Sequence, residues 1–102
     1  MHEVLILVTT ESNKEKAKNI AQTLLQKKLA ACVTIKQIYS VFEWEGEIEE
    51  SEEFEITIKS KLELKEYLIN FLKKNLSYDV PQILFNKFHA ESKYYEWLSK
   101  TN

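Results

Sequence analysis

Leu29-Ala30-Ala31-Cys32-Val33, then Ile38-Tyr39-Ser40-Val41-Phe42-Glu43-Trp44-Glu45-Gly46-Glu47-Ile48-Glu49, then Phe54-Glu55-Ile56-Thr57-Ile58-Lys59, is the stretch that decides the fold. It contains two strand signals separated by Gly46, the one glycine of the chain. A glycine between strand-forming runs marks a reverse turn, because it reaches positive φ without a steric penalty. The hairpin is expected over roughly residues 32 to 59. On its first strand, apolar residues occupy both parities. Val33, Ile35, Tyr39 and Val41 share one face, and Ile38, Phe42 and Trp44 share the other. A strand with one wet face alternates instead. A small domain rarely covers both faces of a long hairpin, so part of this one is expected to meet another chain.

The chain has 102 residues, enough for one domain spanning 1–102 and no second core. Apolar residues at 44% supply an ample interior, while one Gly and one Pro argue against long disordered loops. The net charge of −2 is mild, but eight of the sixteen acids fall between Glu43 and Glu55. With no basic face, nucleic acid is not an expected partner. All fourteen cations are lysine. The missing arginine removes the usual bidentate clamp and weighs against phosphoryl or acyl-phosphate chemistry. A lone cysteine makes no internal disulfide, the start lacks a basic segment leading an apolar run, and no run reaches membrane-span length. The expectation is a cytoplasmic protein with no membrane partner.

Outward from the hairpin, Val4-Leu5-Ile6-Leu7-Val8 reads as a strand buried on both faces. Ser12-Asn13-Lys14-Glu15 matches a capping box opening a helix that shows Ala17, Ile20, Ala21 and Leu24 on one side, with Lys27 and Lys28 at its end. Ser60-Lys61-Leu62-Glu63 repeats the box before a stripe of Leu64, Tyr67, Leu68, Phe71 and Leu72. Pro81 closes the main connection, Gln82 to Phe88 reads as a last strand, and Ser92 introduces a helix that Tyr94 and Trp97 are expected to anchor. The order β-α-β-β-α-β plus a terminal helix predicts an α+β, ferredoxin-like sandwich with a long hairpin. That fold hosts unrelated functions and names none.

Candidate chemical groups are few. Cys32, at the entry of an apolar strand, reads as a small buried hydrophobe rather than a thiol or metal ligand. His2 and His89 have no second donor at ligand spacing. The acids from Glu43 to Glu55 read either as a surface for hard divalent ions or as a solvated tip that discourages edge pairing. Tyr78-Asp79-Val80-Pro81-Gln82 either lines a pocket or simply packs Tyr78 on Pro81. No hydrolase triad, metalloprotease helix or phosphate-cradling glycine loop is present in the sequence.

Several of these pieces together resemble the CutA divalent-cation tolerance family. They are Leu29-Ala30-Ala31-Cys32-Val33, Tyr39-x-x-Phe42-x-Trp44-x-Gly46-x-Ile48-Glu49, Ile58-Lys59, Tyr78-Asp79-x-Pro81 and Tyr94-x-x-Trp97-Leu98. The resemblance implies a non-enzymatic, PII-like homotrimer in which long hairpins extend sheets between subunits, with Tyr39, Val41, Phe42 and Trp44 at the interface. It also implies a link to copper and other divalent cations. An intersubunit cleft with Cys32, Lys59, Tyr78 and Pro81 would serve the alternative, a PII-like small-ligand sensor. Where some relatives carry suggested copper ligands, this chain has Thr9, Leu76 and Gln82. Weakly bound divalent cations are the one cofactor expectation, the metal-binding residues stay unassigned, and the expected partner is a second copy of the chain. An acylphosphatase-like enzyme and an RNA-binding module are the less favoured readings.

Overall fold

The computed structural model describes residues 2–102. Strand β1 (Glu3–Glu11) leads to helix α1 (Lys14–Gln26), and strands β2 (Cys32–Trp44) and β3 (Glu47–Ser60) form the hairpin. Helix α2 (Lys65–Asn75), strand β4 (Ile83–His89) and helix α3 (Ser92–Thr101) complete the chain. The sheet order is β2-β3-β1-β4, with every neighbouring pair antiparallel. This is the ferredoxin-like order expected from the element sequence.

Alternation along β1 divides the interior in two. Leu5 and Leu7 face α1 and α2 and pack with Ala17, Ile20, Leu24, Ile56, Ile58, Leu68 and Leu72. Val4, on the opposite face, packs with Ala31 and Leu98, so α3 covers one end of the second face. Two shells explain why β1 reads as a continuous apolar run.

The helix starts differ from the capping-box reading. Asn13, not Ser12, caps α1: its Oδ1 accepts from Lys16 N–H at 2.8 Å, while the Ser12 hydroxyl turns back to Glu11. Asn is as good a cap as Ser, and the box sits one residue early. Ser60 is not a cap at all. It ends β3, buried opposite Leu5, and its hydroxyl donates to Leu29 O at 2.7 Å and accepts from Asn102 at 2.9 Å. A 3-10 turn over Leu62–Leu64 then leads into α2 without a side-chain cap. On that helix Leu68 and Leu72 are buried, but Tyr67 points to solvent.

Lys27 and Lys28 lie just past α1 rather than in its last turn. Lys28 adopts φ 61° and closes a Schellman pair, with Lys28 N–H donating to Leu25 O and Leu29 N–H to Leu24 O. At the far end, Tyr94 and Trp97 do not anchor α3. Leu98 and Tyr95 do, while Tyr94 and Trp97 stack on each other, 5.6 Å between ring centroids, with Trp97 about half exposed.

The hairpin turn is Glu45-Gly46, both at positive φ, as a two-residue type I′ connection requires. Beyond the Glu11–Phe54 pair, β1 stops and the hairpin continues alone from Ile38–Glu53 to Trp44–Glu47. This arm stretches the molecule to 46 Å along one axis against 24 and 22 Å along the others. Register puts Tyr39 and Val41 on the helix side of the sheet, and Ile38, Phe42 and Trp44 on the opposite side. Tyr39, Val41, Phe42, Trp44 and Ile48 are all exposed, Ile48 at 75%. An isolated two-stranded ribbon is at best marginally stable in water. The arm therefore holds more apolar surface than one chain covers.

Candidate functional site

The arm and the connection from α2 to β4 enclose a groove of about 650 Å³, lined chiefly by Ser40, Phe42, Trp44, Glu49, Glu53 and Tyr78. Its walls follow from strand parity. Register pairs Phe42 with Glu49, Trp44 with Glu47 and Ile38 with Glu53, so Phe42, Trp44, Glu49 and Glu53 project from one face of the arm. The connection supplies the facing wall through Ser77, Tyr78, Asp79, Val80 and Gln82.

Two carboxylates hold that wall in place. Glu11, fully buried at the end of β1, accepts from Asn13 N–H at 3.0 Å, Ser77 N–H at 2.9 Å and the Ser77 hydroxyl at 2.7 Å. Lys16 Nζ reaches the same hydroxyl at 3.1 Å. Burial works against the Glu11 charge, but the Ser77 and Asn13 donors and nearby Lys16 outweigh it and hold the carboxyl below its ordinary range. The second carboxylate is Glu53, which accepts from the Tyr78 hydroxyl at 2.5 Å. Burial first, and that bond to a carboxylate second, push the Tyr78 phenol well above its usual value. Glu53 is only 8% exposed, so it is not part of a wholly solvated acidic tip. Its neighbours Glu43, Glu45, Glu47, Glu49, Glu50 and Glu52 are exposed.

The sequence-selected cleft residues fall at two ends of the sheet. Cys32 and Lys59 are direct register partners near α3. The Tyr94 phenol is raised by burial and by Cys32 beside it. Tyr78 meets Glu53, six residues along β3 from Lys59, or about 20 Å at strand rise. A single protomer thus joins Tyr78 to the groove but keeps Cys32 and Lys59 apart from it. Pro81 is half-buried in the same connection. Sequence reading selected Tyr78 and missed both clasping carboxylates. Nothing marks Glu11 in the sequence, and Glu53 is one of eight acids in a short stretch.

The positions tied to copper by resemblance do not form a copper donor set. Thr9 is buried, its hydroxyl without a hydrogen-bond partner among the described residues, Leu76 is a buried hydrocarbon, and Gln82 is a neutral amide at the groove. None is a strong ligand for copper. Among the described residues, no three or more His, Cys, Asp or Glu side chains come together to hold an ion. Among the described residues, no helix is long and apolar enough to cross a membrane.

Comparison with known proteins follows the fold closely. A family model described as the CutA1 divalent ion tolerance protein matches residues 4–101. The chloroplastic protein CutA of Arabidopsis thaliana is 37% identical over an alignment 99 residues long that covers 95% of this chain. The chain spans little more than half the length of the two plant relatives it matches, 54% for Arabidopsis and 56% for rice. The structure of the periplasmic divalent cation tolerance protein CutA from Archaeoglobus fulgidus superposes with a TM-score of 0.92 at 34% identity, covering 96% of this chain and 97% of that one. CutA from Synechococcus elongatus gives 0.93 at 30% identity, covering 99% and 91%.

Proposed function

This chain belongs to the CutA1 divalent ion tolerance family, and we propose that it works as a non-enzymatic homotrimer in the response to divalent metal ions, copper among them, or in signalling. The observation that supports this reading is the free arm. Ile38, Tyr39, Val41, Phe42, Trp44 and Ile48 present apolar surface on both faces of a ribbon that its own domain leaves uncovered. Two further copies provide the covering that an exposed patch of this kind demands. In that assembly Tyr39, Val41, Phe42 and Trp44 are interface residues. Metal contact is weak and spread over surface carboxylates, because the residues at the suggested copper positions are poor donors. A reducing, cytoplasmic setting suits the free Cys32, although relatives carry chloroplastic and periplasmic names.

A second reading, a PII-like sensor of a small ligand, is favoured by one specific observation. The groove between arm and connection has the size and mixed lining of a small-molecule site. Light scattering tests the assembly, with about three times the 12.1 kDa chain mass expected and a stable monomer at micromolar concentration contradicting it. A thermal-shift screen with metal ions and metabolites separates the two readings, since whatever binds the folded state raises its stability by mass action.

A further inference from the structure

The arm leaves the sheet at a definable pivot. On β3, Phe54 is the last residue with β1 beside it, opposite Glu11, and Glu53 is the first paired to β2 alone. Beyond that point the hairpin is a two-stranded ribbon, marginal by itself in water. From Ile38 to Trp44 it runs about 23 Å at strand rise. A swing of roughly 10° at the pivot would carry its tip about 4 Å, more than close-packed side chains tolerate. An arm that seats against another copy therefore needs its angle fixed.

Two consecutive residues of the α2–β4 connection bond to opposite sides of this pivot. Ser77 N–H and the Ser77 hydroxyl donate to Glu11, the last residue of β1, at 2.9 and 2.7 Å. The Tyr78 hydroxyl donates to Glu53, on the arm. The connection cannot drift with the arm, because both its ends are held: Leu76 packs in the core and Ile83 pairs with Thr9 on β1. Pro81 stiffens it further by fixing its own φ. The Gln37–Glu52 and Tyr39–Glu50 bonds only join the two hairpin strands to each other. Among the described residues, Tyr78–Glu53 is the one side-chain hydrogen bond that ties the arm to anything outside the hairpin. Glu53 is buried while Glu49, Glu50 and Glu52 are exposed, so losing this bond strands a carboxylate out of water's reach.

We propose that Ser77-Tyr78 is a strap across the pivot, and that the Tyr78–Glu53 bond holds the arm at the angle in which copies of the chain assemble. Tyr78 is thus a positioning residue for assembly, acting through Glu53. This rests on the reading of the arm as the assembly surface.

Tyr78→Phe in the full-length, untagged protein tests it, read by light scattering over a dilution series and by residue-resolved hydrogen exchange. The variant should assemble at least tenfold more weakly. Arm amides from Ile38 to Trp44 should exchange faster, while the core amides of Leu7 and Ile58 keep their rates. Glu53→Gln, which leaves an acceptor for the phenol, should retain most of the assembly. Glu53→Ala should match Tyr78→Phe, and the double variant should be no worse than either, since the same bond is lost in all three. Tyr67→Phe, at an exposed position of α2, should change nothing. Native assembly and native arm exchange in Tyr78→Phe overturn the proposal. So does exchange that rises equally in arm and core, which makes Tyr78 a stabiliser of the fold alone, or losses that add in the double variant. A native protein that is monomeric refutes the assembly reading instead, and the strap then stands or falls on whether Tyr78→Phe speeds arm exchange over native.

Discussion

Replacing Glu11 by Gln removes a charge while preserving shape, and its cost should depend on pH. The carboxylate accepts three close hydrogen bonds, from Asn13 N–H, Ser77 N–H and the Ser77 hydroxyl, at 3.0, 2.9 and 2.7 Å, and a longer one from the Ser12 hydroxyl at 3.4 Å. Gln keeps one acceptor oxygen and turns the other into a donor that faces donors. Hydrogen bonds to a charged acceptor are worth about 1.5–3 kcal/mol each, and the amide retains part of one or two. The net loss should be about 2 kcal/mol at pH 7, or a fall in Tm of roughly 10 °C for a domain of this size. The folded carboxyl is held below its ordinary range. Its stabilisation is therefore complete above the unfolded value and lost as pH falls through the folded one. Thermal melts of both proteins at one concentration, at pH 7 and near pH 3, are the assay. The gap should be wide at pH 7 and should narrow in acid as Glu11 protonates and comes to resemble the amide. Hydrogen exchange at Ser77 N–H should quicken in the variant, since its acceptor is weakened. An equal gap at both pH values, or no gap, would refute the view that a charged clasp holds the groove wall.

Lys28→Gly should stabilise the protein by about 1 kcal/mol, because Lys28 holds φ 61° at a Schellman position that glycine occupies without strain; a lower Tm on melting would show that the lysine side chain matters more than the backbone. Trp44→Asp should abolish assembly or solubility, since burying an unpaired carboxylate costs several kcal/mol. If light scattering finds that variant still trimeric, Trp44 lies outside the contact. Calorimetry with Cu²⁺ on metal-free, untagged protein should show weak, poorly stoichiometric binding. One submicromolar site per chain that survives His2→Ala would mean that donors other than Thr9, Leu76 and Gln82 build a copper site.

Much of the fold was legible because local signals and burial agree. The Val4–Val8 run, the Ala17–Leu24 face and the Gly46 turn each report a constraint that neighbouring residues impose. Where tertiary pairing competes with a local motif, the motif loses. Ser60-x-x-Glu63 matches a capping box, yet β3 pairs with Leu5 as far as Ser60, and the hydroxyl serves Leu29 and Asn102 instead. The Lys28 conformation carries no glycine to announce it. Tyr94 and Trp97 share a helix face whose neighbouring face, through Leu98, is the one that buries. The groove was half legible: Tyr78 stood out as an aromatic in the longest connection. Glu11 and Glu53 owe their roles to contacts 66 and 25 residues away in sequence, which no local pattern encodes.

The central claim is that the arm from Ile38 to Trp44 is covered by other copies of the chain. Residue-resolved hydrogen exchange on the native protein at micromolar concentration tests it most directly. If the arm is covered, its β2 amides should be protected to a degree comparable with the β1–β3 core pairs around Leu7 and Ile58, and should lose that protection on dilution or in Trp44→Asp. A bare ribbon, paired only to β3 on one edge, opens locally at little cost. Exchange of Tyr39 to Trp44 as fast as that of the turn residues Glu45 and Gly46, independent of concentration, would contradict the account.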